Sequence, residues 1–346
     1  DEIPVQFQKR NFSIKSSLKA QEKKVFEYFL KPVERGEYKF GHLNLYLNAR
    51  LKLFSRRIKE KEEIIVPVYP SFLQMRKYEL YAISNRLTEA GIKKIRKIGH
   101  LTEFDQIKDY VQGDDFRTIN WKATARKSEI MVNQYMDEKS QQLINIIDMG
   151  RVMRSPFDGM TLLDYAINSS LVLSNIAVNK MDKAGLITLT HKINSFVPPS
   201  NKKTAVQNLL EILYKQKTNF LESNFELLYA QMERKIKQRS LIFLYTNFEG
   251  VVSLQRQLKY LGAISRKHLL VVVFFKNTGI DKLLSKKSQS IEDIYIKTAA
   301  EKFDFEKKRI VKELKKRGIY SILTDPAELT VNSINKYLEM KSLGLI

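Results

Sequence analysis

Cysteine is absent from this 346-residue chain, which excludes disulfide bonds, thiolate zinc sites and cysteine nucleophiles. Histidine is scarce, and the four histidines are scattered without a His-x-x-x-His pair. The chain therefore lacks the usual zinc ligands of a zinc hydrolase. Neither a Gly-rich phosphate-binding motif nor a Gly-x-Ser-x-Gly elbow occurs, which disfavours nucleotide binding, hydride transfer and serine hydrolysis. The longest apolar run, residues 268–275, has the length of a buried strand, far below the ~20 residues of a membrane-spanning helix.

Acidic residues are outnumbered, and the chain carries a formal net charge of +22. The excess is uneven: residues 1–100 hold 22 Lys and Arg against 11 Asp and Glu, whereas residues 101–150 hold 6 against 9. A basic N-terminal part indicates an anionic membrane surface or nucleic acid as partner, or simply a solvated basic face. Because no Arg-rich recognition helix, aromatic stacking strip or zinc module is present, the sequence disfavours nucleic acid.

The length of the chain favours more than one domain. Residues 1–70 are predicted to form a small antiparallel β-sandwich-like domain, with strands at 25–30 and 64–68 and an alternating apolar run at 40–46. Residues 71–140 are predicted to contain a helical connector, a basic cluster at 93–97 and the segment described below. The chain starts at Asp1 rather than at methionine, so we expect a segment upstream of it.

Residues 141–346 are predicted to form a doubly wound α/β domain with a mostly parallel sheet, because buried apolar runs alternate with amphipathic segments. The predicted strands are 143–147, 186–189, 241–245, 269–275 and 320–323. The predicted helices are 161–181, 203–215, 221–237, 251–265, 298–316 and 328–341.

One segment, residues 110–126, concentrates charge beside the single tryptophan and reads YVQGDDFRTINWKATAR. It is called the signature segment below. It resembles the hallmark of the bacterial domain of unknown function 58 (DUF58) family, and the match is specific. The candidate site residues in it are Tyr110, Gly113, Asp114, Asp115, Arg117, Asn120, Trp121, Lys122 and Arg126.

Three interpretations of the signature segment stand side by side. Asp114 and Asp115 could act as paired acids, as in a glycosidase, although nearby arginines favour two ionised carboxylates. Alternatively, the turn docks on the α/β domain, Trp121 fills a pocket and the arginines pair with the acidic turn. In the third, the same charges face outward and recognise a partner. The sequence favours the second interpretation over the others.

The first predicted strand of the α/β domain ends in an aspartate before a long helix, an arrangement that resembles the von Willebrand factor A fold. That resemblance implies a Mg²⁺ site with an Asp-x-Ser-x-Ser loop, a threonine and a second aspartate, the hard oxygen ligands that Mg²⁺ requires. The corresponding positions here are Asp148, Gly150, Val152 and Asn247. Three of the four lack a charged or hydroxyl oxygen, so we predict a degenerate site without metal or other cofactor, in which Asp148 hydrogen-bonds its own loop. Thr218 is the candidate threonine, and Asp158 is a candidate substitute ligand.

The two resemblances together imply a non-enzymatic adaptor. Proteins of the DUF58 family are commonly associated with MoxR-type AAA+ ATPases and often carry N-terminal membrane helices. The chain is therefore expected to be the soluble part of an anchored protein on the cytoplasmic face of the inner membrane, with a MoxR-type ATPase as partner in the assembly or maturation of a protein complex. The alternatives are a metal-dependent ligand-binding module, a basic nucleic-acid-binding protein and, last, a hydrolase.

Overall fold

The N-terminal part of the chain contains a long antiparallel ribbon. A computed structural model describes residues 2–9, 11–19, 21–48, 54–60, 63–70, 102–112, 114–137, 140–277 and 290–345. The ribbon consists of β1 (Gly36–Phe40), β2 (Leu43–Asn48), β3 (Ser55–Glu60) and β4 (Ile64–Val68). Strand β1 pairs with β4 and β2 pairs with β3, so the predicted antiparallel β-structure and the strand at 64–68 are confirmed.

Two details of the N-terminal prediction need correction. Residues 25–30 form no strand, and Val25 and Phe29 are exposed. The alternating run at 40–46 is not continuous either. It breaks at Gly41, whose backbone N–H donates to the carbonyl of Glu2 instead of to a ribbon strand.

The base of the ribbon contacts the later part of the chain. Arg35 forms an ion pair with Asp164, and its guanidinium also donates to the carbonyl oxygen of Gln216 at 2.8 Å. The Tyr69 hydroxyl donates to a carboxylate oxygen of Glu211 at 2.7 Å. These bonds join residues more than 100 positions apart, so they hold the ribbon against the α/β domain.

The signature segment connects the two strands of a second antiparallel pair. Strands β5 (Thr102–Asp109) and β6 (Met131–Asp137) pair along their length, and helix α1 (Trp121–Lys127) lies between them in sequence. The predicted helical connector and the basic cluster at 93–97 lie outside the described residues.

The rest of the chain alternates strands and helices, and their bounds follow in chain order. The elements are β7 (Gln142–Asp148), β8 (Pro156–Phe157), β9 (Met160–Thr161), α2 (Leu162–Asn179), β10 (Lys183–Leu189), β11 (Ile193–Ser200), α3 (Lys203–Leu213), α4 (Phe225–Lys235), β12 (Leu241–Tyr245), α5 (Val251–Lys267), β13 (Leu269–Phe275), α6 (Ile291–Lys316), β14 (Tyr320–Thr324) and α7 (Leu329–Ser342). The predicted strands and helices of the α/β domain are all present.

The main sheet has the strand order β11-β10-β7-β12-β13-β14. Only β11 is antiparallel to its neighbour, so the predicted mostly parallel sheet is confirmed. Helices α2, α3 and α7 pack on one face of the sheet, and α4, α5 and α6 pack on the other. The chain runs outward from β7 in both directions, which places the topological switch point between β7 and β12.

Strand β11 was not predicted, and its sequence explains why. It contains Pro198 and Pro199, which cannot donate ladder hydrogen bonds. The structure places it at the edge of the sheet, where it pairs only with β10 and where proline is tolerated. Helix α6 also begins earlier than predicted, because Ser290 and Asp293 form a capping box. None of the helices in the described ranges combines the length and the apolar character that crossing a bilayer requires.

Candidate functional site

Three short polar residues of the signature segment, Asp114, Asp115 and Asn120, hydrogen-bond the backbone of the segment itself. Asp114 accepts hydrogen bonds from the backbone N–H of Val111 and from the ammonium of Lys108, both at 3.0 Å. These two bonds, the first above all, lower the pKa of Asp114. The aspartates therefore serve as turn and cap residues, as short polar side chains beside free backbone N–H groups do.

Two caps define the helical turns of the segment. Asp115 accepts from the backbone N–H of Arg117 at 2.9 Å, and Asn120 accepts from the backbone N–H of Ala123 at 3.0 Å at the start of α1. The amide of Asn120 also donates to the side-chain oxygen of Asn133 on β6 at 2.8 Å, which ties the helix to the hairpin. Asn120 thus fixes where Trp121, the first residue of α1, is presented.

The large apolar side chains of the segment face solvent. Trp121 is 72% exposed and Phe116 is also 72% exposed, whereas Val132 on the adjacent strand β6 is buried. The prediction that Trp121 fills a pocket is therefore wrong. The helix is only seven residues long, and its small Ala123 and Thr124, rather than its tryptophan, are the residues partly shielded from solvent.

The cations of the segment also face solvent. Arg117, Lys122 and Arg126 are exposed, and in the described ranges no carboxylate lies within 4 Å of either arginine. The predicted pairing of arginines with the acidic turn is wrong, since Lys108 takes that place. Tyr110 stacks on Phe116 with ring centroids 5.8 Å apart. Gly113 lies outside the described residues.

The predicted docking of this segment on the α/β domain is not what joins the two parts of the chain. The hydrogen bonds given above for the segment stay between residues 108 and 133, within the β5–β6 unit. The bonds to the α/β domain described above come from the ribbon, through residues that include Arg35 and Tyr69.

Asp148 lies at the carboxyl end of β7, next to the switch point, and is only 2% exposed. One carboxylate oxygen accepts from the Gly150 N–H at 2.8 Å and from the Ser223 hydroxyl, and the other accepts from the Thr246 hydroxyl at 2.6 Å. Burial raises the pKa of Asp148, while these three donors oppose the rise. The prediction that Asp148 hydrogen-bonds its own loop is confirmed by the bond to Gly150.

Gly150 is required here for reasons of space. A Cβ atom on it would lie 2.6 Å from Ser223 Oγ and 3.1 Å from both Asp148 Oδ1 and the Leu221 carbonyl oxygen. Its φ of −68° is open to any residue, so conformation plays no part. The glycine lets the Ser223 loop approach close enough to bond Asp148.

These residues do not fit a Mg²⁺ ion. Asp148 is the single carboxylate, both of its oxygens are already engaged, and no group of three or more His, Asp or Glu side chains within the described ranges could hold a metal. Asn247 accepts from the ammonium of Lys307 at 2.7 Å, and Val152 sits in a short 3-10 turn. Mg²⁺ keeps near-octahedral oxygen ligation, which one saturated carboxylate does not supply.

The hydroxyls that bond Asp148 were not identified from the sequence. Ser223 takes the place expected for Thr218, and Thr246 directly follows β12. Asp158 is exposed in the tight turn between β8 and β9, so it is not brought to Asp148. Thr246 carried a usable signal, because it stands at the end of a strand beside β7. Ser223 carried none, since it lies 75 positions from Asp148 in a loop.

Comparison with known proteins connects this geometry to a family. Residues 106–280, just over half of the chain, match the family described as Protein of unknown function DUF58. The uncharacterized protein YeaD of Bacillus subtilis (strain 168) is 26% identical over 171 residues, which cover 49% of this chain and 40% of YeaD. The match thus spans well under half of that relative's length.

Two solved structures are partly similar to this chain. The conserved hypothetical protein BatB from Bacteroides thetaiotaomicron is similar over 59% of this chain and 100% of its own, with 12% identity and a TM-score of 0.38. The SpRpn10 VWA domain is similar over 57% of this chain and 94% of its own, with 11% identity and a TM-score of 0.33. With the signature segment inside the matched range, the chain belongs to the DUF58 family of proteins of unknown function.

Proposed function

We propose that this chain is a non-enzymatic adaptor that binds an acidic protein partner through the exposed residues of its signature segment. These residues, called the signature surface, are Phe116, Arg117, Trp121, Lys122 and Arg126. The observation that carries the proposal is the exposure of Trp121, the single tryptophan of the chain. In the same segment, Asp114 and Asn120 accept hydrogen bonds from nearby backbone N–H groups.

The composition of the signature surface supports a protein interface. Tryptophan and arginine are the residues that dominate binding energy at protein interfaces. At roughly 25 cal/mol per Å² of apolar surface and ~150–250 Å² for a large aromatic side chain, covering Trp121 would contribute a few kcal/mol. Such a gain is available only to a partner that covers the ring.

The charge of the surface specifies the partner's chemistry. No Asp or Glu occurs between residues 116 and 128, so the cations face solvent without acidic neighbours along the chain. An acidic patch on the partner would complement them and accelerate association. The caps at Asp115 and Asn120 hold the surface in place before binding, which lowers the entropic cost of ordering it.

The partner proposed is a MoxR-type AAA+ ATPase, as the family resemblance implies, and the proposed location is the cytoplasmic face of the inner membrane. The α/β domain would act in this role without a metal ion, because Asp148 is saturated by protein donors. We therefore propose that the Asp148 carboxylate holds the surrounding loops in place and does not bind a ligand.

The single tryptophan gives a direct test. A purified MoxR-type ATPase of the same organism, with all its tryptophans replaced by phenylalanine, is titrated into the chain while the emission of Trp121 is followed. We expect a blue shift and protection from acrylamide quenching, because the indole passes from water into an interface. Arg126→Glu retains the fluorophore and should weaken the affinity for the ATPase about tenfold or more. The variant replaces a cation that would face the acidic patch of the partner with a carboxylate that the patch repels.

The matched control is Lys259→Glu, an exposed charge reversal on α5 that should leave the affinity unchanged. Binding without any change in Trp121 emission, or with equal affinity for the Arg126→Glu variant, would overturn the proposed surface. Should the emission respond to single-stranded DNA with a steep salt dependence and not to the ATPase, the chain would be a nucleic-acid-binding protein instead.

A further inference from the structure

A cavity of about 430 Å³ opens at the carboxyl ends of β12, β13 and β14, away from the signature segment. In mostly parallel sheets this is the edge at which ligands bind, close to the switch point. Much of its wall is apolar and comes from Phe157, Leu162, Phe275 and Phe303. An apolar cavity with a few polar groups is the usual form of a small-ligand site.

One cation lines this cavity in a fixed position. Lys307 extends from α6, and its Nζ donates to Asn247 Oδ1 at 2.7 Å and to the Phe248 carbonyl oxygen at 2.6 Å. The ammonium also lies 5.7 Å from the centroid of the Phe274 ring. Since an ammonium has three N–H groups, these two bonds orient it and leave one donor for a further acceptor.

This ammonium has no anionic partner of its own among the described residues. Glu249 and Asp304 also line the cavity, but each forms an ion pair with another cation. The Glu249 carboxylate lies 3.7 Å from the Arg151 guanidinium, and the Asp304 carboxylate lies 2.7 Å from the Lys308 ammonium. Burial lowers the pKa of Lys307 to about 8, and the charge of Glu249 opposes this only in part. The lysine thus stays mostly protonated at neutral pH while its charge is poorly compensated, a state that an anion would relieve.

We propose that this cavity binds a carboxylate attached to an apolar body, with Lys307 as its charge partner. The apolar walls receive the body and the oriented ammonium receives the carboxylate. Glu249 and Asp304 at the rim disfavour ligands with several negative charges. A small organic acid and the C-terminal carboxylate of a polypeptide that ends in an apolar residue share this chemistry. The site is separate from the signature surface and does not depend on the adaptor function.

The experiment uses pairs of ligands that differ only in charge. Binding of 3-phenylpropionate and of its neutral amide to the purified chain is measured by calorimetry, together with N-acetyl-Leu-Phe as free acid and as amide. We expect each acid to bind at least about tenfold more tightly than its amide, because only the acid offers the Lys307 ammonium a charged acceptor. Tighter binding of the peptide acid would identify a polypeptide terminus as the ligand, and tighter binding of phenylpropionate would identify a small acid.

Two variants assign the effect to Lys307. Lys307→Met retains the length of the side chain and should reduce the affinity for the acids to that for the amides. Lys276→Met removes an exposed cation that also lines the cavity and should change the affinity less than about threefold, because a solvated charge contributes little. Equal binding of acids and amides, no binding of either acid, or acid affinity that survives Lys307→Met would each overturn the proposal.

A second experiment uses only the wild-type chain, so its result does not depend on whether Lys307→Met folds. The wild-type chain is treated with an amine-reactive acylating reagent with and without 3-phenylpropionate, and modification is mapped by mass spectrometry. The acid should protect Lys307 and leave Lys276 modified to the same extent. Equal modification of Lys307 with and without saturating acid would contradict the proposed contact.

Discussion

An aspartate lies at or just after the end of a strand in two parts of this molecule, and the two aspartates have opposite environments. At the carboxyl end of β7, Asp148 is buried, and it accepts hydrogen bonds from the hydroxyls of Ser223 and Thr246, which lie in two distant loops. After β5, Asp114 accepts hydrogen bonds from its own turn and from Lys108 near the end of that strand, and the large side chains of Phe116 and Trp121 are exposed to solvent. The first arrangement stabilises the domain interior, whereas the second presents a surface, so a cluster of charges alone does not identify a site.

Asp148→Ala is expected to have the largest effect on stability. It removes the acceptor for the Gly150 N–H and for the Ser223 and Thr246 hydroxyls at once. Since each buried donor left without a partner costs about 1–3 kcal/mol, we expect the free energy of unfolding to fall by about 3 kcal/mol in urea denaturation.

Asp148→Asn is the matched control and also gives a pH test. The amide retains one oxygen as acceptor, and the two hydroxyls can rotate, so its cost should be clearly smaller than that of alanine. Because the folded-state pKa of Asp148 is raised, the proton stabilises the folded wild type, and this stability is lost as pH rises from the unfolded pKa through the folded one. The stability of Asp148→Asn relative to the wild type should therefore increase over that window. A flat difference between the two pH profiles would show that the carboxylate is not perturbed by burial.

Gly150→Ala tests how tightly the Ser223 loop packs, and its effect should be second in size. The added methyl group would meet Ser223 Oγ at 2.6 Å, so we expect a loss of about 1–3 kcal/mol in unfolding free energy, the usual range for overpacking. Ser223→Ala in the same chain should recover part of this loss. Gly262→Ala is the control, since its Cβ would meet nothing within 4 Å in the middle of α5, and it should stabilise the chain by about 0.5–1 kcal/mol.

Asn120→Ala addresses the other side of the comparison and should cost about 1 kcal/mol, as loss of a helix cap does. The loss should be local, because Asn120 bonds Ala123 and Asn133 within the β5–β6 unit. Hydrogen exchange at the Ala123 amide should accelerate while exchange in the main sheet stays unchanged. Asn120→Asp retains the accepting oxygen and should exchange more slowly than the alanine variant; equal acceleration would mean that the cap does not hold α1.

Trp121→Ala should have the smallest effect on stability, within about 0.5 kcal/mol, because the side chain is 72% exposed. Among the variants described here, Trp121→Ala should show the largest loss of binding to the partner ATPase and of its stimulation. This pairing of a negligible change in unfolding free energy with a large change in binding separates a presented surface from a structural clasp. A loss of several kcal/mol would instead mean that Trp121 is packed, as the clasp interpretation requires.

Some features of the site were predictable and others were not. The end of β7 at Asp148 follows from a buried apolar run interrupted by an aspartate, and a bond within its own loop follows from the short distance to Gly150. Ser223 was missed because no local pattern marks a loop serine whose partner lies 75 positions away. The burial of Trp121 was predicted wrongly, since the preference of tryptophan for burial says nothing about whether a hairpin offers a pocket.

The sequence by itself determined the buried parallel strands and the helices of the α/β domain, because their apolar periodicity is local and both faces of the sheet require covering. It did not reveal the proline-containing edge strand β11. The turn at Asp114 and Asp115 was also predicted, whereas the caps at Asp115 and Asn120 were not, although their bonds span only two or three residues. Only the tertiary structure decided that Arg35 of the ribbon bonds Gln216 of the α/β domain, and that Lys307 bonds Asn247. Those contacts join residues 60 or more positions apart, so they depend on how whole elements pack and not on any pattern along the chain.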